Sequence, residues 1–392
     1  AAGALLLDET RLDGVQFGAA EARLEGERHG QRVSARVRFV VDASGPRGFL
    51  WKALSLPERP FRWLPPTQAL YSHFEGVARF QGLLRQDGVP PYPLDDAALH
   101  HVFDGGWIWV LRFANGLTSA GAALTDARAA QLSLAEGAPS WARLLSELKA
   151  VHAQFAEARP TLPFVHSKRL AFRSDVVCGD RFALLPSAAG VIDPLLSTGF
   201  PLALLGIQRL AAIFERHWPF GEKAGDVSES ASALRQYANE TQRELDATER
   251  LVAALYASMG DFELFKRLSL LYFAAASFSE TARRLGRPEL APGFLLCNHE
   301  RFGPESAACA EAALARPEGT PRQELLDRID RAIEPFDVAG LGDRTRRDWY
   351  PVRAEDLLAA AERLRASDAE LTGLLARCGF TPEPARASAG VD

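Results

Sequence analysis

Sulfur-containing residues are scarce in this sequence. Its 392 residues include one methionine, Met259, and four cysteines, Cys178, Cys297, Cys309 and Cys378. No two cysteines have the C-x-x-C spacing of a zinc or redox site, and four are too few for a disulfide framework in a chain of this size. We therefore predict no metal site and a reducing, cytoplasmic location.

The sequence also lacks an excess of positive charge and a long apolar run. Its formal net charge is -5, and acidic and basic residues are interspersed along the chain. Nucleic acid is not expected as a partner, because a protein that follows a phosphate backbone needs a basic surface. No apolar stretch approaches the roughly 20 residues of a membrane-spanning helix, so no membrane span is expected.

The composition provides enough apolar residues for a large core, since 47% of the chain is hydrophobic. Alternating apolar and polar positions predict antiparallel strands over residues 4–41, with breaks at Asp13-Gly14 and after Arg28, and again over residues 68–124. Beyond residue 222 the sequence is largely helical in composition. The length is sufficient for two packed units, or for one large α/β unit with an appended domain.

The most informative stretch comprises residues 179–199. It predicts a strand, a turn of small residues, and a loop that leads into a buried helix beginning near Pro201. Small residues allow a flat ligand to approach the backbone, and the free amides of a helix N-terminus favour an anion. The second half of the stretch reads Pro186-Ser187-Ala188-Ala189-Gly190-Val191-Ile192-Asp193-Pro194-Leu195-Leu196-Ser197-Thr198-Gly199.

This stretch resembles the G-D-A-A-G-x-x-D-P-x-x-S-x-G segment of flavin-dependent halogenases and FAD-dependent aromatic monooxygenases, with Pro186-Ser187 in place of Gly-Asp. Residues 40–45, Val-Val-Asp-Ala-Ser-Gly, resemble a second landmark of these flavoproteins, a strand ending in D-A-x-G that contacts the nucleotide. The resemblance implies FAD as the cofactor. The residues that it implies as FAD contacts are Asp42, Gly45, Ser187, Gly190, Asp193, Pro194, Ser197, Thr198 and Gly199.

The halogenases share two further features with this chain. Their F-x-x-P-x-x-S-x-G loop matches residues 191–199 except for Val191 in the first position. By this resemblance the backbone amides of Thr198 and Gly199 hold chloride or bromide. The tryptophans of the halogenase W-x-W-x-I-P motif match Trp107 and Trp109, which either line the substrate site or pack within the sheet.

The residue at position 196 bears on the substrate. Tryptophan-specific halogenases carry a glutamate directly before the serine of this loop, whereas this chain has Leu196. A phenol or pyrrole, either free or tethered to a carrier protein, is therefore favoured over an indole.

The resemblance also implies a reaction and a domain plan. Reduced FAD, supplied by a separate flavin reductase, would form a flavin hydroperoxide, and halide attack would give hypohalous acid that reaches a lysine. In the family that lysine and the phosphate-binding G-x-G-x-x-G segment precede the position of Ala1, so this chain is expected to be an N-terminally truncated fragment that is inactive by itself.

The implied fold is a partial Rossmann-like FAD-binding domain of the glutathione-reductase type, with an antiparallel β-sheet substrate domain and a helical C-terminal region. A hydroxylase, an enzyme similar to prenyl-chain (geranylgeranyl) reductases, and a non-catalytic relative remain alternatives. The predicted boundaries are 1–60 and 166–218 for the FAD-binding domain, 61–165 for the substrate domain and 219–392 for the helical region.

Overall fold

The computed structural model describes residues 3–84, 92–217, 227–315, 320–346 and 353–380. The chain divides into two compact units, each built from two separate stretches of sequence. The first unit comprises Ala1–Pro66 and Arg169–Val252, and the second comprises Thr67–Lys168 and Ala253–Asp392.

The first unit opens with an antiparallel sheet of β1 (Thr10–Phe17), β2 (Ala22–Arg28) and β3 (Gln31–Val37). His29 and Gly30 both have positive φ, which gives the tight turn between β2 and β3. The break predicted at Asp13-Gly14 is wrong, because β1 continues through it with a register shift between Leu12 and Gly14. A bulge takes up the extra residue, and the glycine fits the irregular ladder because it has no side chain.

A second sheet in this unit contains the only parallel pairing among the described strands. Its order is β12 (Cys178–Gly179), β13 (Phe182–Leu184) and β4 (Val40–Asp42), with β13 parallel to β4. A separate antiparallel pair joins β11 (Phe172–Arg173) to β14 (Gly190–Val191).

Among the described residues of the first unit there are four α-helices, and the last of them ends just beyond the unit. They are α1 (Phe49–Ala53), α5 (Pro186–Ala189), α6 (Gly199–His217) and α7 (Val227–Ala257). Pro201 lies in the first turn of α6 as predicted, where its missing N–H costs no hydrogen bond. Buried side chains from the parallel sheet and from α1, α5, α6 and α7 form one apolar core, which includes Val40, Leu50, Ala183, Leu184, Ala188, Leu210 and Tyr237.

Helix α6 is apolar on its outer side as well. Phe200, Leu204 and Ile207 lie at helical spacing and are 77%, 58% and 48% exposed. Within the described residues, Leu195–His217 is the one segment long and apolar enough to cross a membrane by length and composition, which we did not expect from the sequence. A single helix of this kind does not establish a membrane span, because the core helix of a soluble protein can have the same length and composition.

The second unit contains the predicted antiparallel sheet, which the structure confirms. Its order is β10-β5-β8-β7-β6, with β9 also paired to β5. One face packs against α2 (Asp126–Gln131), α3 (Ala138–Glu147) and α4 (Lys149–Gln154) through a core that includes Leu70, Phe74, Ile108 and Trp141. The strands are β5 (Thr67–Glu75), β6 (Leu99–Phe103), β7 (Gly106–Arg112), β8 (Thr118–Thr125), β9 (Arg159–Pro160) and β10 (Val165–Ser167).

The C-terminal region is helical, as predicted. Its helices are α8 (Phe262–Arg284), α9 (Phe302–Leu314), α10 (Arg322–Ile333), α11 (Ala354–Ala359) and α12 (Asp368–Arg377), and α10 packs against both α8 and α9. The helical composition near the C-terminus resolves into two helices, because Arg365 has φ of 50° and Ser367 starts α12 with a capping box to Glu370.

Candidate functional site

The two sequence landmarks lie side by side in the first unit. Asp42 is opposite Leu184 in the parallel pair, and the N–H of Leu185 donates to the carbonyl of Asp42 at 2.9 Å. The carboxyl ends of parallel strands meet at one edge of a sheet, where α/β proteins bind their ligands. The loops that follow β4 and β13 therefore start from the same edge.

The side chain of Asp42 organises the first of these loops. Asp42 is 5% exposed, and its carboxylate accepts the N–H of Ser44 and the N–H of Leu50, each at 2.7 Å. These bonds fix the turn and satisfy a free amide of α1. Gly45 has φ of +82° with no atom within 4 Å of the position that a Cβ would take, so the backbone at Gly45 is open.

The predicted turn of small residues after β13 is a single turn of helix, α5. Ser187 is half-buried within it. A Cβ on Gly190 would lie 2.8 Å from Cδ1 of Leu245 on α7. Glycine at position 190 therefore allows α7 to pack closely against the backbone. From the sequence pattern alone, the small residues here are explained by the approach of a ligand.

The loop from Asp193 to Gly199 has a strained backbone. Asp193 is 3% exposed, and its carboxylate accepts the N–H of Leu195 at 2.9 Å. Leu196 and Ser197 follow with φ of 60° and 53°, in the left-handed region that costs an ordinary residue about 1–2 kcal/mol. Strain of this kind is concentrated at functional sites, because it persists only where the surrounding structure enforces it.

The end of this loop is accessible and presents hydrogen-bond donors. Thr198 is buried, whereas Pro194, Ser197 and Gly199 are exposed. Gly199 begins α6, so the first amides of that helix have no acceptor within the helix and lie at its positive end. The loop is therefore suited to an anion or to the polar edge of a flat ring.

A buried arginine, for which the sequence pattern contains no signal, anchors the strand beside the loop. Arg173 is 1% exposed, and its backbone pairs with Gly190. Its guanidinium donates to Asp246 at 2.6 Å and to the side chain of Gln242 at 2.7 Å, and it lies 3.6 Å from Glu249. These three partners are on α7, so the arginine fastens the β11–β14 pair to that helix.

The predicted substrate tryptophans lie in the second unit and differ in exposure. Trp107 is 1% exposed, and its Nε1 donates to the hydroxyl of Tyr256 at 3.2 Å. Trp109 is only half-buried, and its Nε1 donates to the hydroxyl of Ser119 at 3.4 Å. Trp107 is thus packed in the protein interior, whereas part of the Trp109 side chain is accessible to a ligand.

Trp109 belongs to a set of five residues that lie opposite one another across the sheet. We name this set the aromatic row. The rings of Tyr71 and Trp109 are 6.1 Å apart, with Gly121 between them. Cross-strand register is not visible in a sequence, so the row could not be predicted from it. Its members, in strand order, are Val165, Tyr71, Gly121, Trp109 and His100.

His100 ends the aromatic row as an uncharged group. Burial lowers the pKa of its imidazole to about 4, so the ring is neutral at pH 7. Its ring lies 4.7 Å from that of Trp107. Neighbouring His101 is held by Gln154, with 2.9 Å between His101 Nε2 and the amide oxygen. Within the described ranges no three His, Cys, Asp or Glu side chains come together as a possible metal site.

Comparison with known proteins supplies the family. The tryptophan halogenase family matches residues 9–261, which is more than half of the chain. The chain belongs to this family.

Two curated relatives of this halogenase-family protein are 30% identical to it. The monodechloroaminopyrrolnitrin halogenase PrnC of Pseudomonas fluorescens aligns over 62% of this chain and 42% of its own length. The tetracycline 7-halogenase of Kitasatospora aureofaciens aligns over 68% of this chain and 48% of its own length. The chain thus spans less than half of either relative.

Solved halogenases share the fold of this family member. Halogenase PltM, in its complex with phloroglucinol and FAD, superposes with a TM-score of 0.73 over 87% of this chain and 72% of that chain, at 19% identity. The flavin-dependent halogenase CmlS superposes with a TM-score of 0.54 over 83% of this chain and 55% of that chain, at 16% identity. The flavoprotein halogenase fold predicted from the two landmarks is confirmed.

Proposed function

We propose that this halogenase-family protein is an FAD-dependent oxidoreductase that halogenates an aromatic or electron-rich substrate. The observation that carries the proposal is the parallel pairing of β4 with β13, because it starts both landmark loops from one sheet edge. The halogenase PltM, which has the same fold, is known in complex with FAD.

The residues at this edge fit a flavin nucleotide. The open backbone at Gly45, the hydroxyl of Ser187 and the amides that begin α6 are available, while Asp42 acts by holding its turn. Ser187 is shorter than the aspartate of the family motif and uncharged, so its hydrogen bond to the cofactor is weaker. When bound, FAD supplies the activation of oxygen and the oxidation of halide.

The amides of Thr198 and Gly199 are the proposed halide donors, and a proline can test them. Thr198 has φ of -59°, which suits a proline ring, so Thr198→Pro removes the N–H while keeping φ. We expect the KM for chloride or bromide to rise about tenfold or more. Thr198→Val is the matched control, because it removes the hydroxyl and keeps the amide. Equal halide dependence in the two variants would argue against an amide-bound halide.

The exposed part of the aromatic row is the proposed platform for the substrate ring. Aromatic rings stack favourably at centroid distances of 4.5–7 Å, and Trp109 offers a half-buried indole beside Tyr71. Proteins similar to this chain include halogenases named for pyrrolnitrin and tetracycline substrates, and a chlorinase of a carrier-bound pyrrole from Pseudomonas fluorescens. A phenol or pyrrole, free or carrier-tethered, is therefore the proposed substrate class.

Trp109→Leu tests the platform. We expect the KM for a phenolic or pyrrolic substrate to rise several-fold, because stacking contributes about 0.5–1.5 kcal/mol, with little change in the halide KM. A Trp109→Leu protein whose substrate KM equals that of the wild type would remove Trp109 from the site.

The decisive experiment is turnover by the protein expressed with any coding sequence that precedes this chain. Reduced FAD from a separate flavin reductase, oxygen, and chloride or bromide are supplied with phenol and pyrrole substrates, and products are identified by mass. Halide-dependent halogenated product is the expected result. A hydroxylated product formed independently of halide would identify a hydroxylase, and a colourless protein that binds no FAD would identify a non-catalytic relative.

A cytoplasmic location is proposed with this function, since none of the four cysteines is in a disulfide.

A further inference from the structure

A polar cavity lies in the first unit, between residues 59–63 and helix α7. Its volume is about 390 Å³. We name it the arginine pocket, because its lining is unusually rich in guanidinium groups. The lining residues are Arg59, Pro60, Arg62, Trp63, Arg173, Asp246, Glu249 and Arg250.

Both carboxylates of the arginine pocket are already engaged. Glu249 is 1% exposed, accepts the N–H groups of Arg62 and Trp63 at 2.6 and 2.7 Å, and lies 3.6 Å from Arg173. Asp246 accepts from Arg173 at 2.6 Å. Arg173 and the backbone donors thus engage both carboxylates, and Arg59 and Arg62 are further arginines that line the cavity.

Arg62 is held by stacking on Trp63, which also stacks with Arg250. The guanidinium carbons of Arg62 and Arg250 lie 4.8 and 4.5 Å from the ring centroid of Trp63. A guanidinium stacked on an aromatic ring keeps its N–H groups in its own plane, where they can still donate to an anion. Arg59 is half-buried, and its backbone N–H donates to the carbonyl of Arg173 at 2.8 Å, which fixes the position of its backbone.

We propose that the arginine pocket binds a small organic anion through a carboxylate or phosphate group. Guanidinium forks match both groups, and charge-assisted bonds to them are stronger than neutral ones. The cavity is far larger than a single halide ion, so it holds a molecule that carries the anionic group. This binding site is separate from the landmark loops and does not depend on the proposed halogenation.

The test is calorimetric titration of the 392-residue chain in the absence of FAD. The probes are inorganic phosphate and benzoate, which distinguish a phosphate from a carboxylate ligand, and benzamide as the uncharged counterpart of benzoate. We expect one of the two anions to bind, benzamide not to bind, and Arg59→Gln and Arg62→Gln each to weaken binding about tenfold. Arg36→Gln is the matched control, because Arg36 is exposed on β3 in the same unit and does not line the cavity.

Circular dichroism shows whether each variant folds. Since Arg59 and Arg62 both carry the proposal, one folded variant is enough to judge it. The proposal is overturned if neither anion binds, if benzamide binds as tightly as benzoate, or if affinity is the same in wild type, Arg59→Gln and Arg62→Gln. Because the titration contains no flavin, failure of anion binding leaves the halogenase proposal unaffected. Likewise, failure of halogenation in the turnover experiment leaves the anion-binding proposal unaffected.

Discussion

At the scale of single residues, Gly121 decides how the aromatic row packs. A Cβ at this position would collide with the Trp109 ring, lying 2.6 Å from its Cη2, and with Cβ of Tyr71. We expect Gly121→Ala to lower the free energy of unfolding by about 1–3 kcal/mol, because Cβ of Tyr71 is fixed to its own strand and cannot move away from the added methyl group. Urea denaturation measures the change.

Gly82→Ala is the control for that substitution. Gly82 lies in the same unit, and no atom is within 4 Å of where its Cβ would stand. We expect its stability to match the wild type within about 0.5 kcal/mol. If Gly121→Ala were as stable as Gly82→Ala, the tight fit of the row would be disproved.

His100 gives a pH dependence of known sign. Burial lowers the pKa of its imidazole to about 4, below the ordinary value near 6.5 that applies in the unfolded chain. Between these values the unfolded state binds a proton that the folded state does not. The free energy of unfolding is therefore unaffected by His100 titration above pH 6.5 and falls as the pH drops from 6.5 toward 4. Below pH 4 it levels off, and the total loss is about 3 kcal/mol.

His100→Phe removes this contribution. We expect the loss of unfolding free energy between pH 7 and pH 4.5 to be smaller in the variant than in the wild type, because phenylalanine takes up no proton in either state. His152→Gln, at an exposed position on α4, controls for the removal of a histidine that is not buried. Parallel curves for wild type and His100→Phe would contradict the buried, neutral imidazole.

At the scale of secondary structure, Arg173 links a short strand pair to a long helix. Removing one partner from a buried ionic network leaves uncompensated charge, so Arg173→Met should cost about 3–5 kcal/mol of unfolding free energy. Arg169→Met is the control, because Arg169 is 55% exposed and its pair with Glu58 contributes about 1 kcal/mol at most. Guanidinium denaturation of both variants checks the contrast, and equal costs would mean that the network is not a structural anchor.

The sequence predicted the elements whose local signals agree with their surroundings. The turn at Asn115-Gly116 separates β7 from β8 as expected, because this dipeptide favours a tight hairpin. Asp13-Gly14 carries a similar signal, yet it lies inside β1, since pairing with β2 continues across it. Hydrogen bonding to a neighbouring strand outweighs the local turn propensity of Asp13-Gly14, and the sequence does not show that β2 is that neighbour.

The site was predictable in part for the same reason. The landmarks at residues 40–45 and 186–199 are contiguous patterns, and the fold that they imply was recognised correctly. The aromatic row depends on strand register, and the partners of Arg173 lie 69 to 76 residues along the chain. Such long-range pairings leave no periodicity in the sequence, so only the structure could identify Tyr71, Gly121 and Arg173.

At the scale of the whole molecule, the cysteines differ in reactivity although all four are free. Burial raises the pKa of the Cys309 thiol to about 11, whereas Cys378 is exposed at the end of α12. We expect iodoacetamide at pH 8 to label Cys378 in the native protein and Cys309 only after denaturation, because the thiolate is the reactive form. Peptide mass mapping identifies the sites, and native labelling of Cys309 would contradict its burial.

The parallel pairing of β4 with β13 also has a consequence in time. Val40 and its partner Phe182 are separated by 142 positions, and everything between them must be synthesised first. At translation rates of about 5–20 residues per second, the first strand waits on the order of 10–30 s on the ribosome before its neighbour exists. During that interval the backbone N–H and C=O groups of β4 lack their partner strand, so we expect β4 to be a site where a chaperone binds the nascent chain.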